Sequence, residues 1–171
     1  EMEQFTRKPR AFNKDLKYVS CAVCKRAVEE VWNIAEHMRE VAPYHKVGED
    51  EFNELTLNIC DPDTDEGEWV SMQDIEQAKK GASIKLKQEE YMGECRRECR
   101  TIEKACTAVF DEYREDLAEL LWKNEPKTLE KMASRVCTKW ANVCPAKEVP
   151  KKYERVDEWW MPMDEESFKM R

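Results

Sequence analysis

The sequence predicts an all-α bundle of four or five helices that is cross-linked by disulfide bonds. Only four of the 171 residues are glycine, and helix-forming residues such as Glu, Lys, Leu and Ala dominate the chain. Apolar residues recur at spacings of three and four along several segments, as they do on the buried face of a helix. Eight cysteines, an even number in a chain of this size, favour an oxidising compartment where disulfides persist.

Composition narrows the kinds of partner. The net charge of −8 argues against nucleic acid, which is bound by clustered Lys and Arg, and also against an anionic membrane surface. No stretch approaches the roughly 20 consecutive apolar residues that a membrane-spanning helix needs. We therefore expect protein partners, no nucleic acid, and membrane association that is at most peripheral.

Three parts of the chain differ in composition. Residues 1–17 carry basic and aromatic residues without a clear period, which predicts an N-terminal arm. Residues 18–144 contain the periodic segments and are predicted to form the folded domain. Residues 145–171 contain three prolines and the run WWMPM, which predicts a tail that docks onto another surface.

Apolar spacing places the elements within the domain. The first helix is expected from about Tyr18 to Val41, with Ser20 as a possible cap. An acidic loop, DPDTDEGE, follows the second helix, and the segment ASIKLKQEE alternates in the way that a short strand or an extended edge does. The other helices are expected at about 52–60, 69–80, between Gly93 and about Lys123, and 128–143.

Two cysteine pairs lie on helical stripes at opposite ends of the predicted domain. Cys21 and Cys24 lie on the stripe of the first helix, and Cys137 and Cys144 lie on that of the last. Spacings of three and seven keep both members of a pair on one side of a helix. Two such helices could be joined twice if they were antiparallel, so we interpret the pairs as cross-links.

Redox catalysis and zinc binding are the chemical alternatives for these cysteines. A catalytic CxxC motif sits at a helix N-terminus after a strand, and no βαβ pattern precedes Cys21. Together with the CxxxC at Cys95 the motif could offer zinc four thiolates, but 70 residues separate the two and no ligand histidine accompanies them. The cross-link interpretation uses these thiols without either chemistry.

The order of several motifs resembles the Canopy family, also called MIR-interacting saposin-like proteins. The likeness covers roughly residues 18–144 and is closest to the plant and protist branch. Its motifs are the opening CAVC, NICD around Cys60, ECRRECRTIEKAC, the acidic DEYREDLAELL, and the closing RVCTKWANVC. The resemblance implies a saposin-like, disulfide-stapled bundle, with Cys21 paired to Cys144, Cys24 to Cys137, and Cys60 to Cys106.

Two features depart from the simpler saposin pattern. The gap between the central cysteines, which is short in saposins, spans residues 61–105 here and holds 45 residues, with the insertion itself predicted at 61–95. Cys95 and Cys99 have no counterpart in the six-cysteine pattern. A bond between them requires that the helix has not begun, or is distorted, at Cys95, and free or reactive thiols are the alternative.

The resemblance implies a non-enzymatic protein of the secretory lumen. It would act as a co-chaperone or adaptor that helps membrane or secreted clients to fold in the endoplasmic reticulum, where animal members work alongside the lumenal Hsp90. The alternative is a structural accessory subunit of a larger membrane-associated complex, bound through its arm, insertion and WWMPM tail. Lipid binding, as in true saposins, is disfavoured by the acidic balance and the interrupted helical hairpin.

The candidate contact residues are aromatic and methionine side chains. Adjacent tryptophans in a polar, proline-bounded segment cannot both face one core, so a partner or the domain's own groove should cover at least one. We predict no catalytic residue, metal or cofactor, because His37 and His45 lie among charged and turn residues and no known catalytic motif occurs. The predicted partner contacts are Trp69, Trp159, Trp160, Met161 and Met163.

Overall fold

The computed structural model describes residues 8–164, together with Glu166 and Lys169. The first seven residues of the predicted arm and five positions near the end of the tail lie outside the described residues. The described helices are α1 (Leu16–Val41), α2 (Glu49–Asn58), α3 (Arg97–Lys123) and α4 (Leu129–Ala133), and the strands are β1 (Gln73–Gln77) and β2 (Ile84–Gln88). Short 3₁₀ turns span Pro43–His45 and Glu68–Met72, and α4 continues as a π-helical turn, Ser134–Trp140.

Helices α1 and α3 form the centre of the fold and run in the same direction. Near their starts, Lys104 donates to Asn13 over 2.8 Å, and near their ends Arg39 donates to the carbonyl of Leu121 over 2.6 Å. Apolar residues at helical spacing on the two helices form one buried cluster with α2. Burying each of these side chains fully stabilises the folded state by roughly 1.5–3 kcal/mol. The largest of these side chains include Val19, Val28, Val31, Phe52, Leu55, Ile102, Leu117 and Leu121.

Four disulfides cross-link this core. Cys21 is bonded to Cys144 and Cys24 to Cys137, so the last helical segment lies antiparallel to the start of α1. Cys60, just after α2, is bonded to Cys106 within α3, and Cys95 to Cys99. These are the pairs that the resemblance implied, together with the local pair that it left open. The fourth bond fits the chain geometry because α3 begins only at Arg97, so Cys95 precedes the helix.

The insertion contains a small sheet, which corrects the all-α prediction. A helix was expected over 69–80, but a 3₁₀ turn leads there into β1, which pairs antiparallel with β2. In β1 only alternate side chains are well buried, and Ile75 lies opposite Leu86. This pairing buries Ile75 completely, while Trp69 and Val70 are buried from the preceding 3₁₀ turn. The predicted strand at 82–90 is confirmed as β2.

Two helix boundaries also differ from expectation. Ser20 does not cap α1, because the helix begins earlier, at Leu16, and the Ser20 hydroxyl donates back to the Leu16 carbonyl. The last helix is shorter than 128–143. It widens into the π turn, where the Ala141 N–H donates to the Val136 carbonyl, and it stops before Asn142, whose φ of 52° leaves the helical region.

Candidate protein-binding surface

The C-terminal segment crosses the domain and is anchored by one buried arginine. Arg155 donates from Nε to Asp15 over 3.1 Å, from Nη2 to Glu98 over 3.2 Å, and from Nη1 to the carbonyl of Ile75 over 3.0 Å. Tyr153 donates its hydroxyl to Asp15 beside it. We call Asp15, Glu98, Tyr153 and Arg155 the Arg155 cluster. It joins the tail to the starts of α1 and α3 and to β1.

Burial governs the charges in this cluster. Desolvation raises the pKa of Glu98 to about 8, and hydrogen bonding with the Asp74 carboxyl adds to the rise, while the Ile75 N–H and Arg155 oppose it. Burial alone would lower the pKa of Arg155, but the Glu98 and Asp15 carboxylates outweigh it and raise that pKa. The pKa of Tyr153 is raised by burial and by its bond to Asp15. The cluster is therefore held by the ion pair of Arg155 with Asp15 and by hydrogen bonds to Glu98, whose carboxyl holds its proton up to a pH of about 8.

Glu158 makes a second anchor at the N-terminus of α3. Its two carboxylate oxygens accept the N–H groups of Arg97 and Glu98, each over 3.1 Å, and its own N–H donates to Glu98 over 3.1 Å. The first N–H groups of a helix have no partner within the helix, and a carboxylate is favoured there by the helix dipole. A residue of the tail thus caps a helix that begins about 60 positions earlier in the chain.

Beyond Glu158 the tail pairs with the end of the insertion as an extended segment. Gly93 and Pro162 form an antiparallel bridge; the Glu94 N–H donates to Met161 over 2.9 Å and the Met163 N–H donates to Met92 over 2.8 Å. A Cβ atom at position 93 would lie 2.6 Å from Nε1 of Trp160. Glycine is therefore needed for the tail to approach so closely.

The two adjacent tryptophans face different surroundings. Trp160 is half-buried over Gly93, so the domain itself covers it. Trp159 is 82% exposed, while its carbonyl accepts a hydrogen bond from Arg96. The anchors on both sides of Trp159 hold a large aromatic side chain in solvent.

A groove between the insertion and the tail is lined by thioether and aromatic side chains. Its volume is about 510 Å³, and Met72, Met92 and Met163 line it together with Tyr91, which is 67% exposed. We call these four residues the methionine groove. Charged side chains also line it, namely Glu68, Glu90, Asp164 and Lys169.

The structure separates the five predicted contact residues. Trp69 is only 3% exposed and donates its indole N–H to the Ile59 carbonyl over 2.8 Å. Its side chain is part of the core, so the prediction of Trp69 as a partner contact was wrong. Trp160 is covered by the domain. Trp159 and Met161 are exposed, and Met163 lines the methionine groove.

Sequence reasoning missed the insertion's share of this surface. Tyr91 and Met92 lie in a segment without periodicity, Met72 lies where a helix was expected, and only the tail pairing brings all three beside Met163. Arg155 was missed because it is one basic residue in a charged stretch. The proximity of YMG to the predicted insertion boundary is the only signal that could have pointed to Tyr91.

All eight cysteines are disulfide-bonded. Within residues 8–164 and the two further described positions, no three His, Cys, Asp or Glu side chains are placed to hold a metal ion. In the same ranges, no helix has the length and apolar character to cross a bilayer.

Comparison of the chain with protein-family models, with curated proteins and with solved structures found no match.

Proposed function

We propose that this protein is a non-enzymatic adaptor or co-chaperone that binds protein clients, or a lumenal chaperone, through the methionine groove and Trp159. Four disulfides indicate an oxidising, secreted or lumenal environment. The likeness of its motifs to the Canopy family favours the endoplasmic reticulum as that environment and folding assistance as the role.

The methionine groove is the observation that carries this proposal. Methionine side chains are unbranched and polarisable, so a surface rich in them can repack around partners of different shape. Exposed Tyr91 adds a ring with an apolar face and a polar hydroxyl, as is common where proteins meet. Such a surface suits a protein that must bind several clients rather than one rigid ligand.

The anchored tail gives the groove a stable frame. Met163 reaches the groove because its own N–H is bonded to Met92 and because Glu158 and Arg155 hold the preceding residues. A rigid backbone with adaptable side chains lowers the entropy that is lost on binding. The groove and Trp159 are thus carried on a backbone that is anchored to the domain.

The test measures binding of an unfolded client. We expect the protein to slow the aggregation of heat-unfolded citrate synthase, and the double variant Tyr91→Ser, Met163→Ser to lose roughly tenfold in apparent affinity, about 1.4 kcal/mol. Tyr44→Ser is the matched control, because Tyr44 is 91% exposed and lies at the far end of α1, outside the groove. Equal activity of the two variants would contradict the proposal.

A structural accessory subunit is the second candidate, and exposed Trp159 favours it. A tryptophan held at 82% exposure between two anchors suits a fixed neighbour that covers it permanently. Native purification followed by mass spectrometry of the co-eluting chains distinguishes the two functions. A stoichiometric set of partners that Trp159→Ser releases indicates the subunit, whereas substoichiometric chaperone and client chains indicate the adaptor.

A further inference from the structure

We propose that the outer edge of β2 binds an extended, acidic segment of a partner protein, which pairs with β2 as a third strand of the sheet. This inference is independent of the proposed function, since it shares no residue with the methionine groove. It depends on the hydrogen-bond register of the sheet, on a groove beside β2, and on the charges that line this groove.

The register shows which main-chain groups of β2 face outward. The Glu89 N–H donates to the Met72 carbonyl over 2.7 Å, one step beyond the pair Gln73 and Gln88. Hydrogen-bonded and non-bonded pairs alternate along an antiparallel ladder. The pair Ile75 and Leu86 is therefore non-bonded, and the N–H and C=O of both residues point away from the partner strand.

On the β1 side these outward groups are already used. The Ile75 N–H donates to Glu98 over 2.8 Å, and the Ile75 carbonyl accepts from Arg155 over 3.0 Å. Arg155 also donates its main-chain N–H to the Gln77 side chain over 2.9 Å. Side chains from α3 and the tail thus close the β1 edge.

The β2 edge is open. Across the described chain, the main-chain groups of Ile84 and Leu86 that point outward have no hydrogen-bond partner. Unpaired strand edges of this kind accept a further strand, and main-chain hydrogen bonds then supply much of the affinity. The five residues of β2 offer room for about three to five residues of partner, given a rise of about 3.3 Å per residue.

A groove runs between this edge and α1. Its volume is about 470 Å³, and Ala22 and Lys25 of α1 line it together with Ile84 and Leu86 of β2. Arg26 bridges the two elements by donating to the Gln88 side chain over 2.6 Å. An added strand would therefore place alternate side chains against an apolar surface and leave the others beside basic groups.

The charges around the groove select an acidic segment. Lys25 and Lys85 are exposed and form no ion pair among the described residues, although the chain as a whole carries −8. Glu29 lines this surface and shares Arg26 with Glu30, at 3.1 and 3.0 Å. Three basic side chains, Lys25, Arg26 and Lys85, thus stand against these two acids, and the remaining positive charge favours Asp or Glu in the bound strand.

The direct test uses a fluorescently labelled peptide with alternating valine and glutamate, titrated into the intact oxidised protein. We expect saturable, salt-sensitive binding and at least tenfold weaker binding by two control peptides: one with lysine in place of glutamate, and one with N-methylated main-chain amides. Slower hydrogen exchange at the Leu86 amide on binding would locate the peptide at the edge. Equal binding of the N-methylated and unmodified peptides would overturn the proposal.

Variants of the protein distinguish peptide binding at the β2 edge from binding elsewhere on the surface. Leu86→Pro removes an N–H that the sheet does not use, and should abolish binding while leaving the unfolding transition in place. The double variant Lys25→Glu, Lys85→Glu should weaken binding at least tenfold, whereas Lys127→Glu, an exposed lysine outside the groove, should not. Loss of peptide binding in Tyr91→Ser, Met163→Ser would instead assign the peptide to the methionine groove. A dimer that Leu86→Pro dissociates would assign the edge to a second copy of the chain.

Discussion

The Nη2 atom of Arg155 lies 3.2 Å from Oε2 of Glu98, and both side chains are almost completely buried. The same guanidinium pairs with Asp15, so one side chain of the tail holds together the starts of the two central helices. Buried pairs of this kind are costly to break on one side only.

Replacing Arg155 should destabilise the whole domain. Arg155→Met removes the counter-charge of the buried Asp15 carboxylate and the donor to Glu98 and Ile75, which should lower the free energy of unfolding by about 3–5 kcal/mol. Urea titration with the disulfides intact measures this free energy of unfolding. Lys152→Met, on an exposed side chain of the same tail, should stay within about 0.5 kcal/mol of the parent. A loss below about 1 kcal/mol in Arg155→Met would show that Asp15 is solvated or protonated in the variant.

Glu98 should make stability depend on pH. Its pKa is raised in the folded protein from 4.5 to about 8, so between these values the native state holds a proton that the unfolded state releases. The contribution of protonated Glu98 to the free energy of unfolding is therefore complete below pH 4.5 and declines as the pH rises towards 8. Glu98→Gln should flatten this part of the profile.

Urea midpoints from pH 5 to 8.5 provide the measurement for Glu98. The charged groups that face it are Asp15, Asp74, Arg155 and Glu158, and all four remain in the Gln variant. Identical slopes for the parent and Glu98→Gln would exclude Glu98 as the titrating group.

Position 93 should accept no side chain while the tail is docked. In Gly93→Ala the added Cβ would meet Trp160 at 2.6 Å, so the tail must shift, at a cost of roughly 1–3 kcal/mol. Hydrogen exchange of the Met163 amide, which is bonded to Met92, should become faster. In a Trp160→Ala background the cost of Gly93→Ala should be markedly smaller. Equal costs in both backgrounds would place the strain elsewhere.

The disulfides should differ in their contribution to stability. Cys60 and Cys106 are 46 positions apart, and Cys95 and Cys99 only four. Loop-closure entropy predicts a loss of about 4 kcal/mol when the first pair is replaced by alanine and about 2 kcal/mol for the second. Thermal and urea unfolding of the two double variants would measure this difference. The reverse order would mean that the local bond is needed to hold the cap of α3.

The long helices α1 and α3 could be predicted from the sequence because the apolar pattern within each one is sufficient to define its buried face. In α1 and α3 the apolar residues repeat at helical spacing over 26 and 27 residues, so the buried face is visible without a partner. In β1 the only fully buried aliphatic side chain is Ile75, and one residue defines no period. Its strand conformation comes from pairing with β2.

The candidate site was only partly predictable, for a related reason. Trp69 and Trp159 are the same residue type in similarly polar segments, yet one donates to Ile59 inside the core and the other lies in solvent. Nothing local to either residue distinguishes them. Burial is a property of the neighbours that the fold brings near, and those neighbours are distant in the chain.

Periodicity and cysteine spacing alone therefore predict a helical protein with disulfide cross-links, and favour an oxidising compartment, since both depend on short stretches of the chain. The methionine groove and the buried Arg155 cluster depend on contacts between residues that are distant in the chain, up to 140 positions apart in the cluster. Such contacts form only when the tail folds back over α3 and the insertion, so it is the packing of distant segments that assigns these residues to core, anchor or binding surface.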